Sequence, residues 1–392
     1  MWYNQIMNKE RLKVLELFAG IGACSKALTN IGIPHEIVDA VEIDEWAMKS
    51  FNAIHGTNFE PQDITKWDKD IKCDLIMHGS PCQDFSMAGK QAGGDEGSGT
   101  RSSLMYETLR IVEKLRPKYV IWENVRNLLG EKHVHNFTAY LTKMRKLGYV
   151  SMYSVLNAKD YGIPQNRERV FVVSVYLPDE ASHVTGGDLR SLGVFDFPEP
   201  IPLEKHLCDI LDPVVDEKYY LTPEQTAKIK FCTPSKDVSK TVRTGGRGSL
   251  DKHAWDLVQV AQMYGFGKEK NPQAGRIYDA NGICPTIDTM SGGNRMPKII
   301  DPQGRTKKIN VPKDYAPTLR AQSHGNEPCV VEDGNPRIRK LTAKECWRLM
   351  GFSDEDYEKA ASTGASATQL YKQAGNSICV NVLEAIFKNL LN

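Results

Sequence analysis

KVLELFAGIGACSKALTNIG, residues 13–32, passes from an apolar run through two glycines into a segment with helical spacing. A strand that ends in Phe18-Ala19-Gly20-Ile21-Gly22 and reopens as a helix puts glycines where a ligand can approach the backbone beside a helix N-terminus. Simple turn geometry accounts for such a turn equally well, and Ser25 stands where a dinucleotide fingerprint has its third glycine. The strands and helices downstream of this turn decide the fold. EIVDAVEI (36–43) runs into DEWAMKSFNAIHG, and CDLIMHG (73–79) is another apolar run. SSLMYETLRIVEKLR (102–116) has helical periodicity, and KYVIWEN (118–124) is the next strand. Strands and helices alternating at this spacing predict an open, mostly parallel, Rossmann-like α/β sheet. RVFVVSVYL (169–177) and VSMYSVLNA (150–158) extend it.

With 392 residues the chain is long for one core, so two domains are expected. Its beginning is too polar for a secretory signal, and its longest clean apolar run, VFVVSVYL (170–177), is too short to span a bilayer. Nine cysteines without a C-x-x-C pair argue against a zinc site or a disulfide framework and for a reducing, cytoplasmic setting. No metal is expected.

Net charge is only +1, but the basic residues cluster. Residues 226–252 hold seven Lys/Arg against Asp237 and Asp251, and residues 289–320 hold seven against Asp301 and Asp314. Such patches can track phosphates in an otherwise neutral protein, or simply face solvent. The texture changes after about residue 190, where Pro, Gly, Ser and Lys rise and long apolar runs vanish. CPTIDTMSGGNRMPKIID (284–301) is echoed by APTLRAQSHGNEPCVVED (316–333), with a fainter copy from Lys240. Each copy predicts a hairpin, and together they predict a smaller β-rich domain. TAKECWRLMGF (342–352) and QAGNSICVNVLEAIFKNLL (373–391) read as helix. The expected division is a first domain over 1–190, completed by 371–392, and a second over 191–370.

Several side chains fall where a parallel sheet would gather them. Glu42 lies 22 positions beyond Gly20 at the end of the second strand, suited to a ribose, and Asp63 is expected at the next strand end, suited to an adenine amino group. Cys82 follows CDLIMHG and Glu123 ends KYVIWEN, which puts both at the carboxyl edge. A thiol after a strand, between Pro81 and Gln83, is placed for reaction more than for packing. Burial would raise the Glu123 pKa. In GIPQNRERVF (162–171), Gln165, Arg167 and Arg169 share one face if the segment is extended, and could aim donors at one polar object.

LFAGIGACS, VEID, GSPCQDFS, ENV, QNRER, RKLTAKECWRLMGF and QAGNSICVNVL occur in that order. Together they resemble the cytosine-C5 DNA methyltransferases of bacterial or phage type over nearly the whole chain except about 190–337, where that family keeps its target-recognition domain. The resemblance implies methyl transfer from S-adenosylmethionine to C5 of cytosine in a specific short DNA sequence. Cys82 would add to C6 of a flipped base, Glu123 would serve N3, and Arg169 would hold O2 with Arg167 and Gln165 in support. Carried over by position, the cofactor would meet Phe18, Ala19, Gly20, Gly22, Glu42 and Ile43. It would also meet Asp63, Ile64, Pro81, Leu104, Asn376 and Ser377, the last two returning from the C-terminal segment.

The glycine-rich stretch 83–101 would be a lid closing on double-stranded DNA. Gln83, Ser86, Lys90 and Arg101 are its contact candidates, with Arg243, Arg247, Arg295 and Arg320 in the basic region. Ser80, where relatives often carry an aromatic residue, and Asp84 depart from the family pattern without touching a required role. The enzyme is expected to act as a monomer and without a membrane. Rival readings are an RNA cytosine methyltransferase of the same fold, a catalytically silent DNA-binding relative, and a nicotinamide dehydrogenase.

Overall fold

Strand β1 (Leu12–Leu17) pairs in parallel with β2 (His35–Val41) on one side and β3 (Leu75–His78) on the other. In this computed structural model, residues 11–81, 104–183, 189–226, 229–231, 259–263, 276–278, 283–287, 297–300 and 337–391 are described. β4 (Tyr119–Val125) continues the parallel set beside β3. β5 (Tyr149–Asn157) takes the far edge, the short β6 (Gln165–Asn166) belongs elsewhere, and β7 (Glu168–Tyr176) runs antiparallel between β4 and β5. The six-stranded order is β2-β1-β3-β4-β7-β5. The expected α/β fold with a mostly parallel sheet is therefore present, extended by the two strands foreseen for it.

The crossovers are α1 (Ala23–Asn30), α2 (Glu45–His55), α3 (Met105–Leu115) and α4 (Val134–Lys146), followed by the short α5 (Pro178–His183). Strands covered on both faces must be apolar almost throughout. β3 is buried at all four residues, and β4 at all but its ends. Asp44 caps α2 by accepting the amides of Trp46 and Ala47, which starts that helix immediately after β2. Beneath β4, Trp122 packs against Phe137 and Tyr140 of α4.

The chain divides into two compact units, one of residues 1–163, 167–204 and 347–392, the other of 164–166 and 205–346. The second unit holds α6 (Pro223–Thr226), β8 (Ile229–Phe231), β9 (Gln259–Met263), β10 (Arg276–Tyr278), β11 (Cys284–Pro285), β12 (Lys298–Ile300) and β13 (Ile338–Lys340). Five of these strands form a sheet in the order β13-β12-β10-β9-β8, while β11 pairs in parallel with β6. Among the described residues of 284–301, the two arms expected to pair as a hairpin pair with other strands instead. Cys284 and Pro285 are engaged by Gln165 and Asn166, and Lys298–Ile300 lies parallel to β10 and antiparallel to β13. Residues 316–333 and the copy from Lys240 lie outside the described residues.

α7 (Ala343–Arg348) ends the second unit and opens the last segment. α8 (Asp354–Ser362), α9 (Ala367–Asn376) and α10 (Val380–Leu390) then complete the first unit. The continuous helix expected over 373–391 is broken at Ser377–Cys379, and α8 occupies a stretch for which no helix was expected. Capping boxes explain both starts: Ser353 with Asp356, and Ser366 with Gln369. Lys26 of α1 pairs with Asp356 at 2.8 Å, and Gln373 of α9 exchanges hydrogen bonds with Ser50 and the Trp46 carbonyl of α2. These contacts return the C-terminal helices to the first unit. Among the described residues, no helix is long and apolar enough to cross a membrane.

Candidate active site

The carboxyl ends of β1, β3 and β4 lie at one edge, with Leu17 beside His78 and His78 beside Trp122. Phe18, Gly79 and Glu123 come next at that edge. Phe18 adopts φ 54°, a left-handed conformation that costs a non-glycine residue about 1–3 kcal/mol. The Ala19 amide donates to the Val41 carbonyl at 3.0 Å, and the Gly22 amide to Ala19 at 2.9 Å, so the turn is tied to β2 as it folds back into α1. Gly20 and Gly22 carry φ 56° and 81°, which only glycine adopts without strain.

Glu42 reaches back to this turn. Its two oxygens accept the amides of Gly20 at 3.0 Å and Asp44 at 2.8 Å. Burial raises its pKa, and those amide bonds only partly offset the effect. Beside it Ile43 is 72% exposed, an apolar side chain left open at a strand end. Asp63 does not end a strand. It precedes a 3-10 turn, Ile64–Lys66, and accepts both the amide and the hydroxyl of Thr65, which hold its carboxyl below the usual range. Leu104, at the start of α3, and Pro81 are half-buried.

A pocket at the edge is lined by the Glu16–Gly20 segment, Ala23, Cys24, Met77, Gly79, Glu123 and the Asn376–Ile378 corner. Thus the glycine turn, the end of β4 and the break between α9 and α10 share one cavity. Asn376 and Ser377 were foreseen there from the family pattern; Glu16, Met77, Gly79 and Ile378 were not. Glu16 carries the signal that could have found it, an acid inside the otherwise apolar VLELF (14–18). It is buried and accepts both the amide and the hydroxyl of Ser25, yet burial pushes its pKa up to about 7. Ser25 therefore does more than vary a glycine position. A larger groove of about 700 Å³, lined by Val134, Leu141, Arg145, Met152 and Tyr153 among others, lies away from this edge and gathers no such chemistry.

Glu123 faces Arg169, whose Nε lies 3.1 Å from a carboxylate oxygen; the Arg169 and Glu123 side chains are only 16% and 11% exposed. Burial raises the Glu123 pKa as expected; the charge of Arg169 and, less strongly, Arg167 pulls against it. Arg167 points its Nη2 at the carbonyls of Ser377 (2.8 Å) and Gly375 (3.3 Å). Gln165 accepts the Ile287 amide at 3.2 Å in the second unit. Gln165, Arg167 and Arg169 thus have separate partners here.

The strand end that precedes Cys82 in the chain is held firmly. Trp122 donates its indole N–H to the Ser80 hydroxyl at 3.0 Å, and the Asn124 amide donates to the Ser80 carbonyl at 3.2 Å. His78 stacks on Trp122 and meets the Tyr140 hydroxyl at 2.9 Å; burial lowers its pKa to about 3, so the ring is neutral. Cys82, Gln83, Ser86, Lys90, Arg101, Arg243, Arg247, Arg295 and Arg320 lie outside the described residues.

Comparisons with known proteins agree with the motif order. The model of the C-5 cytosine-specific DNA methylases matches residues 12–392. The orphan methyltransferase M.SPBetaI of Bacillus phage SPbeta is 33% identical, with 97% of this chain and 98% of that protein covered. The type II methyltransferase M.HhaI of Haemophilus parahaemolyticus is 31% identical, covering 97% and 94%. Among solved structures, the Entamoeba histolytica methyltransferase EhMeth superposes with a TM-score of 0.64 at 15% identity over 98% of both chains, a likeness of fold. A glycine turn answered by Glu42, a Glu123–Arg169 pair at the same sheet edge and a family match over nearly the whole length have one conclusion: the chain belongs to the C-5 cytosine-specific DNA methylase family.

Proposed function

We propose that this enzyme methylates C5 of a flipped cytosine within a short sequence of double-stranded DNA, through a covalent bond between Cys82 and C6. The observation that carries the reading is the pair of buried Glu123 with half-buried Arg169, which shares an edge with the glycine turn and lies next to the strand that leads to Cys82. C5 of cytosine is a poor nucleophile. Addition of the Cys82 thiolate to C6 makes it enamine-like while the protonated form of Glu123, which burial favours, hydrogen-bonds N3 and Arg169 holds O2. C5 would then take its methyl group from the cofactor's sulfur, with S-adenosylhomocysteine leaving; solvent water takes the C5 proton, the C6–S bond breaks, and the thiolate is regenerated.

The residues at this edge fit S-adenosylmethionine. Glycines at positive φ open the backbone at Gly20, Glu42 offers carboxylate oxygens for a ribose, and exposed Ile43 offers an apolar surface for a base. When bound, that cofactor supplies an electrophilic methyl on sulfur. Phe18, Ala19, Gly20, Gly22, Asn376 and Ser377 would hold it on one side, and Glu42, Ile43, Asp63, Ile64, Pro81 and Leu104 on the other.

Residues 205–346 would serve target recognition and the remainder catalysis, with Gln83, Ser86, Lys90, Arg101, Arg243, Arg247, Arg295 and Arg320 as DNA contacts. The enzyme would act as a cytoplasmic monomer. DNA carrying 5-fluorocytosine at the target should trap wild type in a denaturation-resistant adduct that Cys82→Ala cannot form. An undiminished adduct from that variant sinks the mechanism. Bisulfite sequencing of treated DNA supplies the target context, and methylation of RNA in place of DNA would redirect the substrate assignment.

A further inference from the structure

We propose that Arg167 is a positioning residue of the cofactor half of the site, fastening the Gly375–Ser377 corner that walls the pocket, and not a partner of the cytosine ring. This deepens the cofactor reading given above and rests on it.

The backbone of Arg167 is fixed at two points: its amide donates to the Asn157 side chain at 2.9 Å, and its carbonyl accepts the Ala158 amide at 3.1 Å. From that fixed point the side chain of this residue, 4% exposed, runs inward to the carbonyls of Gly375 and Ser377. Those carbonyls belong to the C-terminal end of α9, where helix geometry leaves acceptors without intrahelical donors and concentrates partial negative charge. A planar guanidinium, with donors directed along a fork, can join two such oxygens at once.

What the corner supplies decides the role. Asn376, Ser377 and Ile378 line the pocket together with Phe18 and Gly20, so a shift of the corner moves a wall of the cavity. On its other side the helix is already anchored: Gln373 bonds Ser50 and Trp46, and Lys372 pairs with Asp44, two residues beyond Glu42. Loss of Arg167 would therefore loosen one attachment of an otherwise held helix. Arg169 has the opposite assignment, since its guanidinium is the one paired with Glu123. Two arginines in one motif thus divide the labour, one toward the corner of the cofactor pocket and one toward the carboxyl that faces the base.

The test compares Arg167→Gln and Arg167→Lys with Arg169→Lys in the full chain. S-adenosylhomocysteine is titrated calorimetrically without DNA, and kcat and both KM values are measured with S-adenosylmethionine and DNA. Arg167→Gln should weaken S-adenosylhomocysteine binding and raise the cofactor KM about tenfold or more, as loss of charge-assisted hydrogen bonds implies, with kcat at saturating cofactor changed less than about threefold. Arg167→Lys, which retains the charge and a single donor nitrogen, should recover part of the affinity. Arg169→Lys should lower kcat and leave S-adenosylhomocysteine affinity near wild type.

Unchanged affinity in both Arg167 variants overturns the proposal, as does a loss confined to kcat. If neither Arg167 variant unfolds cooperatively as wild type does, the residue serves folding and the proposal also fails. Wild-type protein that binds no S-adenosylhomocysteine would instead remove the cofactor reading of the pocket, an outcome distinct from unchanged affinity in the variants.

Discussion

Glu16 lies on β1 with its carboxyl buried against Ser25, and burial pushes its pKa from 4.5 to about 7. The folded state then binds a proton more tightly than the unfolded state. This favours folding at low pH, and the advantage is lost as pH rises from the unfolded value through the folded one. Glu16→Gln keeps an acceptor oxygen for Ser25 and has no charge to bury. Urea unfolding without ligand should find variant and wild type close near pH 4 and the variant more stable by up to about 3 kcal/mol near pH 8. A difference that does not change with pH refutes the account. Glu123 is raised for the same leading reason, with Arg169 opposing. Because its protonated form is proposed to serve N3, kcat should fall as pH climbs through that raised pKa. Glu123→Gln, which keeps a donor but no titrating group, should be slower by about a hundredfold and lose that limb of the pH–rate profile. A limb that survives the substitution assigns it to another group.

The turn between β1 and α1 tests the same edge at the level of an element. A Cβ on Gly22 would lie 2.1 Å from the His55 Nε2 and 2.8 Å from Phe51, whereas a Cβ on Gly20 meets nothing within 4 Å. Both have positive φ, so alanine strains either backbone by about 1 kcal/mol. Gly22→Ala must in addition displace His55, which sits 3.2 Å from the Ile21 carbonyl. Thermal unfolding should therefore show Gly22→Ala as the costlier change, by about 2 kcal/mol or more, and equal costs would contradict the packing. The strand-turn-helix itself was legible because its apolar run, glycines and helical spacing are local. Glu42 was legible too, since a parallel sheet fixes where a strand end must lie. The destination of Arg167 was not: its partners are backbone carbonyls more than two hundred positions away, and carbonyls carry no residue code. The break at Ser377–Cys379 was equally hidden, because helical periodicity runs through it. The capping boxes at Ser353 and Ser366 were readable in principle. The hairpin expected over 284–301 failed for the converse reason. A local pattern pointed inward, while nonlocal partners, β6 on one end and β10 with β13 on the other, took up both strands.

At the scale of the whole molecule, the first unit is split in sequence, and its last segment, 347–392, comes after the second unit. α10 buries Val380, Val382, Leu383, Ile386, Phe387 and Leu390, and it packs on α1, the helix that leaves the glycine turn. Burying six such side chains contributes about 10–15 kcal/mol, an upper estimate, which rivals the entire stability of about 5–15 kcal/mol typical of a folded domain. The Lys26–Asp356 pair adds an electrostatic link between the same parts. Burial would raise the Asp356 carboxyl, but bonds from Lys26 and Ser353 prevail and hold it low. A chain ending at residue 346 should consequently lack a cooperative unfolding transition and bind no S-adenosylhomocysteine, although it retains Gly20, Glu42, Cys82 and Glu123. Asp356→Asn in the full chain is the graded version: it should weaken folding near pH 7, with the difference from wild type shrinking as acid protonates the wild-type carboxyl through its lowered pKa. Calorimetric unfolding of both proteins beside wild type checks the pair of expectations. A truncated chain that melts cooperatively and binds S-adenosylhomocysteine would show that the first unit folds without its returning helices, and that the Asn376 wall of the pocket is dispensable.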